Sequence, residues 1–251
     1  IGPVKGLVMG SVQSGKTANM IGLVTMAAHY DWNIFIVLSG TIDNLRKQTR
    51  DRFWRDLSQS VGLSWHVLDY TNNENYMIDI KTGETYSPEG LNLNVFQEGI
   101  SNNKWLHRYV FVCLKNSKRL QNLITWLHAK ETRTVKMRVL VIDDEADQAS
   151  INTVKMGEVK DEDEIERTKV NQLIIDLVNG CDCDGNPTRT PFQAMNYVSF
   201  TATPYANVLN EAYRKSLYPS NFICSLPESK EYFGAKAIWG SKTDEKYSGL
   251  N

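Results

Sequence analysis

The chain has 251 residues, a formal net charge of −1, and 41% hydrophobic and 23% charged residues. That is the composition of one globular α/β domain with enough apolar side chains for a core. Near-neutral charge excludes binding of nucleic acid through bulk positive charge, while leaving room for a local basic groove; no apolar run reaches membrane-spanning length, and no signal-peptide pattern opens the chain.

Gly6–Met9 is a short apolar run and reads as a strand. It leads into Gly10, Ser11, Val12, Gln13, Ser14, Gly15, Lys16 and Thr17, a full G-x-x-x-x-G-K-[ST] phosphate-binding loop. Its glycines let successive backbone N–H groups face a phosphate chain, and the helix that follows adds its positive end. Lys16 is expected to reach the β- and γ-phosphates of ATP, and the Thr17 hydroxyl to ligate Mg²⁺. The run Ala18–Tyr30 is apolar nearly all round, which predicts a buried helix. Gly22 within it suggests close packing on a sheet.

Ile34–Leu38 is continuously apolar, as in a strand covered on both faces. Ser39-Gly40-Thr41 then leaves the sheet, and Asp43 or Thr41 is expected to cap a helix reaching Gln59. That helix carries Arg46, Lys47, Arg50, Arg52 and Arg55, with Leu45, Thr49, Phe53 and Leu57 as its apolar stripe. It reads either as a solvated amphipathic helix or as a groove wall touching nucleic-acid phosphates. Ser64–Leu68 is a short strand. Residues 70 to 104 look like a surface excursion, with a hairpin around Thr82-Gly83.

Strands at 109–114 and 137–142 bracket a helix at 118–130. The second strand ends in Asp143-Asp144-Glu145-Ala146-Asp147. An acidic, solvated loop spans 150–167, followed by a helix at 168–179 and a turn at 181–191. The strand Tyr197–Phe200 runs into Thr201-Ala202-Thr203-Pro204, and 222–224 and 237–239 are weaker strand candidates. The four cysteines, Cys113, Cys181, Cys183 and Cys224, lack the paired spacing of a zinc site and suit a reduced, cytoplasmic chain.

Apolar strands alternating with helices predict an α/β fold with a doubly wound, mostly parallel sheet. Ligands bind such sheets at the carboxyl ends of the strands. The segments 10–17, 39–41, 143–147 and 201–204 all fall there. A phosphate loop holds a nucleotide, and hydrolysis also needs acids beside it. Asp144 is assigned to Mg²⁺ through water, with Asp143 as the competing candidate. Glu145 is assigned to orienting or deprotonating the attacking water, so that Glu145 and Lys16 form the catalytic pair. Thr201 and Thr203 are placed to couple the acids to a neighbouring domain. No P-D…(D/E)-x-K arrangement supports a nuclease, and His29, His66, His107 and His128 lack paired spacing.

Three strings, 10–17, Asp144-Glu145-Ala146-Asp147 and Thr201-Ala202-Thr203-Pro204, resemble motifs I, II and III of superfamily-two helicases, in the same order. More narrowly, Val12–Gly22, Val37–Gly40 with Leu45–Thr49, Leu114-Lys115-Asn116, Ile142–Asp147 and Phe200–Asn207 resemble the Z-one domain, a family labelled an endonuclease domain. The similarity runs over about residues 5 to 240. It implies a single RecA-like ATPase domain, the first motor domain of a longer bacterial DNA-modification or defence protein. ATP and Mg²⁺ are the implied cofactors, and DNA and a second RecA-like domain the implied partners. It also implies that Thr41, Arg46, Lys47 and Gln48 touch nucleic acid. The start without an initiator Met fits a piece of a longer chain. No upstream glutamine motif is visible, and the gap between the acidic motif and Thr201 is longer than in DEAD-box proteins. Without the second domain's arginine fingers, weak nucleotide binding and little hydrolysis are expected. A nucleotide-gated assembly switch and a metal-dependent endonuclease are the alternative readings.

Overall fold

The computed structural model describes residues 3–11, 15–59, 62–70, 77–86, 100–101, 104–105, 107–129, 137–152, 167–187, 192–209, 216–227, 241–243 and 246–248. The elements in order are β1 (Val4–Met9), α1 (Lys16–His29), β2 (Ile34–Ser39), α2 (Asp43–Leu57), β3 (Ser64–Tyr70), β4 (Met77–Asp79), β5 (Thr85–Tyr86), β6 (Ile100–Ser101), β7 (Lys104–Trp105) and β8 (His107–Leu114). They continue with α3 (Ser117–Leu127), β9 (Arg138–Asp144), α4 (Lys169–Val178), β10 (Ala194–Thr201), α5 (Tyr205–Leu209), β11 (Phe222–Ser225), β12 (Ser241–Thr243) and β13 (Lys246–Ser248). The candidate strand at 237–239 and most of the acidic loop, 153–166, lie outside the described residues.

One nine-stranded sheet runs β11-β1-β10-β9-β2-β8-β3-β4-β5. Every pair from β11 to β3 is parallel, and β4 and β5 extend the edge antiparallel. β2 is buried along its whole length, as its unbroken apolarity requires. Its side chains alternate between two cores. Ile34, Ile36 and Leu38 pack with Leu120, Leu123 and Leu173 of α3 and α4. Phe35 and Val37 pack with Met20, Val24, Phe53 and Leu57 of α1 and α2. Helices therefore cover both faces of a doubly wound sheet, and each fully buried Leu, Val or Phe contributes about 1.5–3 kcal/mol.

Four local expectations are corrected. α1 buries a single stripe, Met20, Ile21, Val24 and Ala28, and leaves Met26 64% exposed. A Cβ on Gly22 would meet nothing, so that glycine serves no close contact. α2 starts from Ile42 with no side-chain cap, and Asp43 pairs instead with Arg46 and Lys47. The excursion after β3 is partly a sheet edge: Met77, Asp79 and Tyr86 are buried, and Gly83, with φ +74°, turns the hairpin between β4 and β5.

Local sequence explains the helix ends. The Asn116 side chain accepts from the Lys118 and Arg119 backbone N–H groups, and Thr168 Oγ1 accepts from Asn171 N–H. Buried Arg108 donates to the Ala28 carbonyl from Nε (3.3 Å) and Nη2 (2.9 Å), placing a cation at the negative end of α1.

Candidate functional site

Strand register brings the expected segments together. Met9 lies beside Thr201, Phe200 beside Asp144, and Leu38 beside Asp143. The carboxyl ends of β1, β10, β9 and β2 are thus four adjacent strand ends on one rim. Gly10 N–H donates to the Thr201 carbonyl at 3.0 Å, tying the loop after β1 to the end of β10.

At the end of that loop Gly15 has φ +78°, a left-handed conformation that side chains with a Cβ rarely adopt, and α1 starts at the next residue. Lys16 Nζ folds back to donate to the carbonyls of Gly10 (3.0 Å) and Ser11 (3.2 Å). Val12, Gln13 and Ser14 lie outside the described residues. Thr17 lines a cavity of about 280 Å³ together with Gly40, Gln48, Asp144 and Glu145.

The acids after β9 divide by role. Asp143 is fully buried, 2.8 Å from Lys115 Nζ, and accepts from the Tyr197 hydroxyl at 2.6 Å. It is held inside the protein, so of the two Mg²⁺ candidates only Asp144 faces the cavity. Burial, then the neighbouring Glu145 charge, push the Asp144 carboxyl up to about 6. Glu145 has φ +50°, a strained value for a residue with a long side chain. Its N–H donates to Asp144 Oδ1 (3.0 Å), and Lys115 Nζ donates to its carbonyl (2.7 Å) and to Ser150 Oγ (3.1 Å). A Cβ on Gly40 would sit 3.1 Å from Glu145 Oε2, so the bare backbone there makes room for this carboxylate.

Asp147 faces β10. Thr201 Oγ1 donates to it at 2.7 Å and Thr203 Oγ1 at 2.6 Å. Burial raises its pKa, but the Thr203 and Thr201 donors outweigh that and leave it below the ordinary value. Asn207 Nδ2 donates to the Ala146 carbonyl, closing the turn from the far side.

The expected nucleic-acid residues separate. Thr41 and Lys47 are exposed, and Gln48 lines the cavity beside the acids. Arg46 is corrected: it is 4% exposed, donates to Asp43 (2.7 Å) and Asp69 (2.6 Å), and has no free face for a phosphate. Arg50 also pairs with Asp69. Arg46 thus takes the inward position on α2, and Leu45 and Thr49, expected in the apolar stripe, line the cavity. Gly40 and Arg52 line the cavity and Lys115 lies under its acids. The sequence marks their segments, 39–41 at the rim, 114–116 in a resemblance string and Arg52 on the cationic helix, but gives none of them a role beside the acids.

Elsewhere, Asp79 Oδ2, His66 Nδ1, His66 Nε2 and His107 Nδ1 form a hydrogen-bonded chain with 2.7 Å links. It lies near the starts of β3 and β8, away from the acid rim. Among the described residues no group of three or more His, Cys, Asp or Glu is arranged to hold a metal ion by itself. Mg²⁺ keeps several waters and takes one or two protein oxygens plus phosphate, so Thr17 and Asp144 on one cavity suit it. All four cysteines are free thiols, and none of the described helices is long and apolar enough to cross a membrane.

Fold and rim together define an α/β protein with a doubly wound, mostly parallel sheet. No protein-family model matches the chain, and no curated protein matches it in sequence.

Proposed function

We propose that this chain is a RecA-like, phosphate-loop ATPase domain, the helicase-like motor part of a DNA-acting protein related to the Z-one domain. The observation that carries this reading is the shared cavity of Thr17, Asp144 and Glu145, on one rim of the sheet where Thr17 after β1, the β9 end and Gly40 after β2 meet. Gly10–Thr17 would hold the phosphates, with Lys16 leaving the Gly10 and Ser11 carbonyls to reach them. Mg²⁺, when bound, supplies charge neutralisation at the β- and γ-phosphates. Glu145 orients the attacking water and accepts its proton. Asp147, held by Thr201 and Thr203, links the acids to β10 and α5, a route by which nucleotide state reaches a second RecA-like domain.

The reading is tested by direct binding of a fluorescent ATP analogue with Mg²⁺, and by ATP turnover with and without single-stranded DNA. Binding that is lost in Lys16→Ala, with DNA-stimulated turnover lost in Glu145→Gln, supports the motor. Binding without any stimulation by DNA leaves a nucleotide-gated switch. Metal-dependent DNA cleavage that survives Lys16→Ala would make the protein a nuclease instead.

A further inference from the structure

We propose that Arg52 is a catalytic residue that contacts the γ-phosphate from within this chain, an arginine supplied in cis; this rests on the ATPase reading above. The cavity is lined by Asp144, Glu145 and Thr17, and a bound triphosphate would add further negative charge. Lys16 is one cation for it, expected at the β- and γ-phosphates. Among the described residues lining that cavity, Arg52 is the only cationic side chain.

Helix geometry puts it there. Gln48 and Arg52 are four apart, so they share one face of α2, and with Leu45 and Thr49 they line the cavity that the acids also line. The other face of α2, Arg46, Phe53 and Leu57, is buried. The arginines of α2 differ in how firmly they are held. Arg46 and Arg50 are bound to Asp69. Arg52 has a 3.9 Å contact with Asp56, whose carboxylate lies closer to Arg55 at 3.0 Å, and its side chain is 43% exposed. An exchange of Asp56 for a γ-phosphate therefore costs Arg52 little, because an exposed pair at that distance is weak and a guanidinium–phosphate contact is strong. Arg52 and Gln48 also line a wider cleft of about 720 Å³ with Trp54 and Arg55, which leaves the side chain space to move.

The test compares the parent chain with Arg52→Ala and Arg52→Lys, with circular dichroism confirming that each is folded. The probes are a fluorescent ATP analogue, Mg·ADP, and Mg·ADP with aluminium fluoride, which mimics the phosphoryl-transfer state. The parent should bind the aluminium fluoride complex at least tenfold more tightly than Mg·ADP. Arg52→Ala should lose that preference, and Arg52→Lys should keep part of it. A preference unchanged in Arg52→Ala, or absent from a parent that binds ATP, overturns the proposal. A parent that binds no nucleotide overturns the ATPase reading itself, and this proposal with it.

Discussion

Lys115 Nζ lies 2.8 Å from Asp143 Oδ1, and both side chains are fully buried. The same ammonium donates to the Glu145 carbonyl, so a single buried cation holds the acidic strand end in two places. Removing one partner leaves a charge with no water to receive it, which costs about 3–5 kcal/mol. Lys115→Met should lower the urea-unfolding free energy by that amount. The double variant Lys115→Met/Asp143→Asn should lose distinctly less, because the introduced amide carries no charge. Equal losses would mean that the pair is not what the lysine stabilises.

Gly40 and Glu145 form the second relationship with a direct consequence. Gly40 has no backbone need for glycine, since its φ is outside the left-handed range. A methyl group there would stand 3.1 Å from Glu145 Oε2 and 3.6 Å from Gln148 Oε1, so the carboxylate must move by a few tenths of an ångström. Gly40→Ala should keep thermal stability within about 0.5 kcal/mol. If Glu145 handles the attacking water as proposed, the variant should lower ATP turnover roughly tenfold or more while nucleotide affinity holds, since misplacement of a catalytic group by even an ångström costs on the order of 10² in rate. Turnover equal to the parent's would remove Glu145 from the reaction.

Arg46 and Lys47 are neighbours in sequence with opposite predicted phenotypes. Arg46→Ala takes one of two arginines from buried Asp69 and should cost about 2–4 kcal/mol in unfolding free energy. Lys47 is half exposed and pairs with half-exposed Asp43, so Lys47→Ala should change stability by less than about 0.5 kcal/mol. If the end of α2 nearer Asp43 touches DNA, Lys47→Ala is the variant that weakens binding and flattens its salt dependence. Filter-binding at two salt concentrations, beside urea titrations, separates the two residues.

The fold was legible where apolar runs were unbroken. Ile34–Ser39 and Arg138–Asp144 declare buried parallel strands by composition alone, and their carboxyl ends then locate the rim. The residues of the candidate site that meet at the rim were legible where they sit in contiguous letters, as in 15–17 and 144–147. They were not legible where a side chain's role depends on register or on which way a helix is rolled. Arg46 looked like a surface cation because Asp69, its partner, is 23 residues away on β3. His66 and His107 looked unrelated because only the parallel pairing of β3 with β8 brings them to 2.7 Å. The choice between Asp143 and Asp144 needed Lys115 and Tyr197, which arrive from two other strand regions.

Asp144 gives the protein a pH dependence of definite sign. Its carboxyl is pushed from 3.8 up to about 6, mainly by burial and next by Glu145. The native state therefore holds this proton more tightly than the unfolded chain does. Between about pH 4 and pH 6 the native state binds more protons, so this group makes stability fall as pH rises, and its penalty is complete above pH 6. With allowance for its partial exposure the penalty is on the order of 2 kcal/mol. Asp147 acts in the opposite sense: its lowered pKa contributes stability that is present above the unfolded value of 3.8 and lost as pH falls through the folded value. Burial also raises the Asp176 carboxyl, so the difference between the parent and an Asp144 variant, taken above pH 4.5, is what isolates Asp144. In the presence of a chelator and without nucleotide, Asp144→Asn should be more stable than the parent by about 2 kcal/mol at pH 7.5. The gap should shrink steadily toward pH 4.5, as the parent's own carboxyl takes up its proton. Urea midpoints for both proteins at four pH values decide it: a gap that stays constant would mean that Asp144 is ionised in the folded protein throughout this range and carries no burial penalty.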